Sequence, residues 1–208
     1  MTSPTAFERY SDRERINHWT VALAFVLAAL SGLALFHPAL FWLSALFGGG
    51  PWTRILHPFI GAVMFAAFAF MGLRFWRHNV LSGVDVQWLK HWRDLLNNRE
   101  ERLPEAGRYN AGQKLLFWVL VAAVATLLVT GVIFWRPWFA RYFPIALVRL
   151  AALLHSLAAT ALLIAIIVHV YAAFWVKGSF AAMLRGTVSA NFAKKHHAAW
   201  YRELTKQR

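Results

Sequence analysis

The chain contains no cysteine. Iron–sulfur ligation, thiolate haem ligation, structural disulfides and covalent haem attachment through Cys-x-x-Cys-His are therefore excluded together. Charge is also scarce: Asp, Glu, Lys and Arg make up 15% of 208 residues, against 59% hydrophobic, and mean hydropathy is +0.46. An ordinary soluble domain is less apolar than this, and the composition is that of a membrane protein. Acid is scarcest of all, with nine Asp and Glu facing 22 Lys and Arg for a net charge of +13. Internal repeats and low-complexity segments are absent. No small-residue cleavage site follows the first apolar run, which reads as a retained span and not a signal peptide.

Hydropathy outlines four spans, roughly 17–36, 54–74, 113–135 and 149–175. The basic residues divide unevenly between the two sides that these spans define. The N-terminus holds Arg9, Arg13 and Arg15. The middle loop with its flanks holds eight, from Arg74 to Lys114, and the tail seven, from Lys177 to Arg208. The other side keeps only Arg54, Arg136, Arg141 and Arg149. This bias predicts cytoplasmic termini and a cytoplasmic middle loop. It also accounts for the net charge as topology and anionic-lipid contact, with no nucleic-acid partner. The expected fold is all-α, an integral membrane four-helix bundle forming one domain over residues 1–208.

Shorter elements complete the outline. Pro38–Phe47 is apolar but too short to cross, so it is expected in the outer interface before the Gly48-Gly49-Gly50-Pro51 turn. Asp85 is placed to cap a surface-lying amphipathic helix with Trp88, Trp92 and Leu95 on one side. The aromatic loop Trp138–Ile145 reads as an interfacial belt. The tail after Gly178 is basic.

Four histidines carry the chemistry. His155 and His169 are 14 residues apart in the last span. That is roughly 21 Å of helical rise with a net rotation of about −40°, so both imidazoles lie on one helix face. His155 lies about 9 Å below the outer boundary near Arg149, and His57 begins the second span at a similar depth. His18 begins the first span at the inner side, and His169 is about one and a half turns from the inner end of the last. Two shallow-outer and two shallow-inner histidines are what two stacked, bis-imidazole haems require. Histidines serving an ion or proton path would more naturally sit mid-membrane or step across it. His37, His78, His91, His196 and His197 fall at boundaries or in loops, as solvated imidazoles do, and Met64 and Met71 read as packing residues.

Small residues follow the same geometry. Gly32 is 14 positions after His18, Gly61 is one turn beyond His57, and Ala158, Ala159, Ala172 and Ala173 flank the histidines of the last span. They give a porphyrin room or simply let helices pack closely. Asn110, Gly112 and Gln113 open the third span. Asn110 with Gln113 three residues on is close to a helix capping box, and the same amides could form a quinone headgroup site beside His169.

Several segments carry a resemblance: Asn17-His18-Trp19-Thr20, Arg54-Ile55-Leu56-His57-Pro58-Phe59, Arg108-Tyr109-Asn110-Ala111-Gly112-Gln113-Lys114, Val129-Thr130-Gly131-Val132-Ile133-Phe134-Trp135-Arg136-Pro137, His169-Val170-Tyr171-Ala172-Ala173-Phe174-Trp175-Val176-Lys177-Gly178 and Ala193-Lys194-Lys195-His196-His197. Together they resemble the gamma, cytochrome b subunit of bacterial membrane-bound respiratory formate dehydrogenase, nearly end to end and in register. The resemblance implies a four-helix cytochrome with two haem b. His18 and His169 would hold the inner haem iron, His57 and His155 the outer one. Quinone, menaquinone or ubiquinone, would be reduced near Asn110, Gly112, Gln113 and His169. No ligand position departs from the pattern, although the tail ends sooner after Glu203 than the family leads one to expect.

The implied partners are a periplasmic iron–sulfur beta subunit, a molybdenum- or tungsten-containing alpha subunit that oxidises formate, and further copies of that heterotrimer. This chain would be the quinone-reducing subunit of the enzyme. Each electron crossing inward works against the membrane potential, about 2.3 kcal/mol per 100 mV. Two other readings remain open on the residues alone: a diheme cytochrome b of a hydrogenase or thiosulfate reductase, and a haem-free, histidine-lined transporter.

Overall fold

The computed structural model describes residues 6–97, 99 and 102–206. Four long helices dominate: α1 (Asp12–Phe36), α2 (Gly50–Phe75), α5 (Ala111–Phe134) and α6 (Ile145–Trp175). Each is long and apolar enough to cross a membrane. In hydrocarbon every backbone N–H and C=O must be paired within the segment, and a helix does this without help from neighbours. Side-chain hydroxyls are satisfied in the same local way. Thr20, Ser31, Thr126, Thr130, Ser156 and Thr160 each donate to the carbonyl four residues earlier, at 2.6–3.0 Å.

Short elements connect the long ones. Pro38–Phe47 is a 3-10 helix capped by His37, whose Nδ1 accepts from Ala39 N–H at 3.2 Å. After α2 come α3 (Gly83–Lys90) and α4 (Trp92–Leu96). After α6 come α7 (Ser179–Arg185), α8 (Ala190–His196) and α9 (Ala198–Lys206). Strand β1 (Ala6–Glu8) pairs antiparallel with β2 (Thr187–Ser189), Phe7 opposite Val188.

The chain divides into two compact units. One holds residues 16–73 and 119–168, the greater part of all four long helices. Its core takes side chains from each: Ala24 of α1, Met64 and Phe68 of α2, Val124 of α5 and Leu162 of α6. Leu23, Val63, Leu153 and Ile167 of this unit stay exposed, as lipid-facing positions of a spanning bundle do.

The other unit gathers residues 1–15, 74–118 and 169–208. The N-terminal segment, the middle loop and the tail therefore share one unit, as alternating passes of four spans require. Its core is Phe7, Ala182, Val188, Phe192, Ala193 and Trp200. Arg9, only 4% exposed, has no carboxylate partner among the described residues. Its guanidinium lies 5.0 Å from the Trp200 ring centre and 5.6 Å from that of Tyr109. Cation–π attraction there substitutes in part for lost hydration.

Two local expectations change. The surface helix of the middle loop breaks at His91 into α3 and α4, so Trp88 is buried while Trp92 is exposed. His197 is not a solvated imidazole: it is 2% exposed, donates from Nδ1 to the Gly107 carbonyl at 2.8 Å, and meets Arg9 Nη2 at 3.2 Å through Nε2.

Candidate functional site

His57 lies in the second turn of α2 and His155 in the third turn of α6. Chain reversal through the 3-10 segment and the Trp138–Ile145 loop brings both helix starts to one end of the bundle. Their rings meet with centroids 6.4 Å apart and planes at 73°. A metal–imidazole bond is about 2 Å, and the ring centre lies about 1.1 Å beyond the nitrogen, so two imidazoles bracketing one metal place their centroids about 6.3 Å apart. The observed spacing matches.

The second ring nitrogen of each histidine is engaged. His57 Nδ1 lies 2.8 Å from Ser31 Oγ, and His155 Nδ1 lies 2.9 Å from Thr130 Oγ1. These contacts leave Nε2 of both rings available to a metal. Phe134 stands edge-on to His155 at 5.0 Å. The residue after each hydroxyl is glycine. A Cβ on Gly32 would stand 3.1 Å from His57 Cε1, and one on Gly131 would stand 3.4 Å from His155 Cε1. Gly32 thus makes room for the His57 ring, whereas Gly61 has open space around it. Among the described residues no group of three His, Cys, Asp or Glu is arranged to hold a metal ion. Two imidazoles with no third side-chain ligand suit a metal whose other ligands arrive with a macrocycle.

Sequence reasoning passed over Ser31, Thr130 and Gly131. The signal was a repeated pair, a small hydroxyl residue followed by glycine, inside the first and third spans.

His18 and His169 belong to different units and are each half-buried. His18 stands edge-on to Trp19 at 5.4 Å. Asn110, Gly112, Gln113 and His169 fall in the same unit. Asn110 Oδ1 accepts from Gln113 N–H at 2.9 Å, and Gln113 Oε1 accepts from Asn110 N–H at 3.0 Å. The capping arrangement is therefore present. Both partners are backbone donors, so the cap uses both amide oxygens and neither NH₂ group. Gly112 lies against Trp88, whose Cη2 is 3.5 Å from the position of a Cβ.

A cavity of about 230 Å³ opens beside Asn110, lined also by Asp85, Trp88, Glu105 and Lys114. Lys114 Nζ donates to Asp85 Oδ2 at 2.8 Å, and that oxygen also accepts from Ser82 N–H and Oγ–H at 2.8 and 2.7 Å. Burial alone would raise the Asp85 carboxyl. The Lys114 and Ser82 hydrogen bonds and the Lys114 charge outweigh it and hold the group below the usual range.

Residues 9–186 match the family described as prokaryotic cytochrome b561. The chain belongs to that family. It is a multi-pass membrane cytochrome of the b type, with an electron-transfer role. It is 50% identical over 198 residues, 95% of its length, to the Escherichia coli K12 protein named formate dehydrogenase cytochrome b556(fdo) subunit, covering 93% of that relative. The nitrate-inducible cytochrome b556(Fdn) subunit of the same organism is 48% identical over 93% of this chain and 89% of its own length. A formate dehydrogenase cytochrome b556 subunit of Haemophilus influenzae is 42% identical over 98% of this chain and 85% of the relative. The resemblance read from the motifs holds over 95% of this cytochrome.

Proposed function

We propose that this chain is the membrane-anchoring diheme cytochrome b subunit of a formate dehydrogenase complex. It would receive electrons from an iron–sulfur partner outside the membrane and deliver them to quinone at the cytoplasmic side. The observation that carries the reading is the His57–His155 pair: two half-buried imidazoles spaced for one iron, each with its Nδ1 engaged and its Nε2 without a hydrogen-bond partner among the described residues. Haem bound there supplies reversible one-electron chemistry at iron. What the chain contributes is orientation, since the paired helices fix both rings and the bundle excludes water around them. The absence of a third side-chain ligand among the described residues weighs against a histidine-lined metal transporter.

A second haem is assigned to His18 and His169 by the resemblance and by helical spacing. The quinone site is assigned to Asn110, Gly112, Gln113 and His169. The cap supports this, because it uses the amide oxygens and leaves two NH₂ donors to meet quinone carbonyl oxygens. By the resemblance, an iron–sulfur beta subunit and a molybdenum- or tungsten-containing alpha subunit are the expected partners in the inner membrane.

Haem stoichiometry of the purified complex tests the assignment. Both haems should extract into acidified organic solvent. His57→Ala or His155→Ala should remove one haem and block reduction by formate, while His18→Ala should leave one haem reducible and stop quinone reduction. Two haems retained in His57→Ala and in His155→Ala would overturn the reading.

A further inference from the structure

The proton count around Ser31 and Thr130 has a chemical consequence. A hydroxyl has one proton to give. Ser31 Oγ places its proton on its own helix, with the Leu27 carbonyl at 2.7 Å and that of Ala28 at 3.1 Å. Thr130 Oγ1 does the same, with the Thr126 carbonyl at 2.6 Å and that of Leu127 at 3.3 Å. Neither oxygen has a proton left for the histidine facing it, so each can only accept. The hydroxyl oxygen that faces each Nδ1 is therefore its acceptor. Both imidazoles must carry their proton on Nδ1 and present a bare Nε2 lone pair.

The two sides are built alike. On α1, Ser31 is buried at 0% exposure with Gly32 beside it; on α5, Thr130 is buried at 5% with Gly131 beside it. Each glycine lets the facing ring approach its helix closely enough for the hydroxyl contact. One hydroxyl–glycine pair thus serves each ligand, from two helices that carry no ligand at this level.

We propose that Ser31 and Thr130 are paired positioning residues that fix the Nδ1–H tautomer of His57 and His155 and tune the electron density their Nε2 atoms give to a bound haem iron. This rests on the reading that these two histidines ligate one haem. A hydrogen bond accepted from Nδ1–H makes the far nitrogen more basic. A more basic axial ligand favours the ferric state and lowers the midpoint potential. Because both hydroxyls act on one iron, their effects should add in a single haem and leave the other untouched.

Spectroelectrochemical titration of the haem-loaded complex tests this. Ser31→Ala and Thr130→Val should each raise the midpoint potential of one haem, the double variant should raise it further, and the second haem should not move. Ser31→Thr and Thr130→Ser keep the acceptor and should restore the original potential. Should Ser31→Ala lose haem, as a 10- to 100-fold fall in affinity from a lost supporting contact would cause, the isosteric Thr130→Val variant carries the same measurement. Unshifted potentials at full haem content, or equal shifts in both haems, would overturn the proposal while leaving the ligand assignment intact. Titration of His57→Ala separates the two failures: if both haem waves persist there, the ligand assignment fails first.

Discussion

Arg9 and Arg108, 99 residues apart, each donate to the other's main-chain carbonyl, Arg9 Nη2 to Arg108 at 2.7 Å and Arg108 Nη2 to Arg9 at 2.6 Å. The exchange fastens the N-terminal segment to the end of the middle loop without an acidic residue. It also aims Arg9 Nη2 at His197 Nε2, which must accept because His197 Nδ1 donates to Gly107. A protonated His197 would set two cations against each other in a buried site.

Acid sensitivity of this terminal unit follows. Burial, then the Arg9 charge, pushes His197 down to about 3 from an ordinary 6.5. Between those values the unfolded chain binds a proton that the folded chain does not. The contribution is therefore complete above pH 6.5 and is lost as pH falls toward 3. At pH 5 the loss is about 2 kcal/mol, at 1.36 kcal/mol per unit. Thermal unfolding of the detergent-solubilised protein should show a falling Tm from pH 7 to pH 5. His197→Gln, which cannot be protonated, should flatten that slope, and an equally steep slope in the variant would assign the effect elsewhere.

The Asp85–Lys114 pair predicts a different asymmetry. Its Oδ2 serves both the start of α3 and the Lys114 ammonium, whose side chain is 15% exposed. Asp85→Asn should destabilise by about 3 kcal/mol, because it leaves a mostly buried ammonium without its counter-charge. Adding Lys114→Met removes the stranded charge and should recover part of the loss. A double-mutant cycle on thermal stability reads the coupling, and additive losses would show that the two groups act independently.

How much of this was legible in the sequence depends on the range of the contacts involved. The 3.6-residue period and the reversal of four spans were enough to put His57 and His155 at one end of the bundle. The Ser31 and Thr130 contacts depend on the rotational register between neighbouring helices, which periodicity within one helix does not fix. The three-residue strands β1 and β2 are about 180 positions apart in sequence and carry no strand signal of their own. His197 read as solvated because its partners lie 90 and 188 residues away. The Trp88–Trp92 face failed locally, since the break at His91 rotates Trp92 out of register with Trp88.

Glycine at positions 32 and 131 offers a test by sign. Replacing a mid-helix glycine with alanine ordinarily stabilises by about 1 kcal/mol. Gly32→Ala would put a methyl 3.1 Å from His57 Cε1, tighter than the 3.4 Å that Gly131→Ala would impose on His155. The expected outcome is lost or spectrally perturbed haem in Gly32→Ala, and a milder change in Gly131→Ala. Haem content and the reduced spectrum of both variants decide it; a stabilised Gly32→Ala protein with native haem would mean that the ring yields at no cost.

The quinone assignment can be separated from helix capping because the two duties fall on different atoms. Asn110 Oδ1 and Gln113 Oε1 hold the cap, and the NH₂ groups do not. Asn110→Asp and Gln113→Glu each keep the capping oxygen while deleting the donor. Asp caps as well as Asn, and a carboxylate in the first turn is favoured by the helix dipole. Both variants should therefore fold with native stability, full haem content and normal reduction of haem by formate. Quinone reduction should fall in at least one of them, through a higher KM or a lower turnover, because a carboxylate presents an oxygen to the quinone carbonyl where an N–H stood. With quinone turnover impaired, both haems should rest in the reduced state during formate oxidation. Alanine at either position removes cap and donor together and should cost about 1 kcal/mol in stability besides. Native quinone kinetics in both carboxylate variants would leave these amides with capping as their whole role.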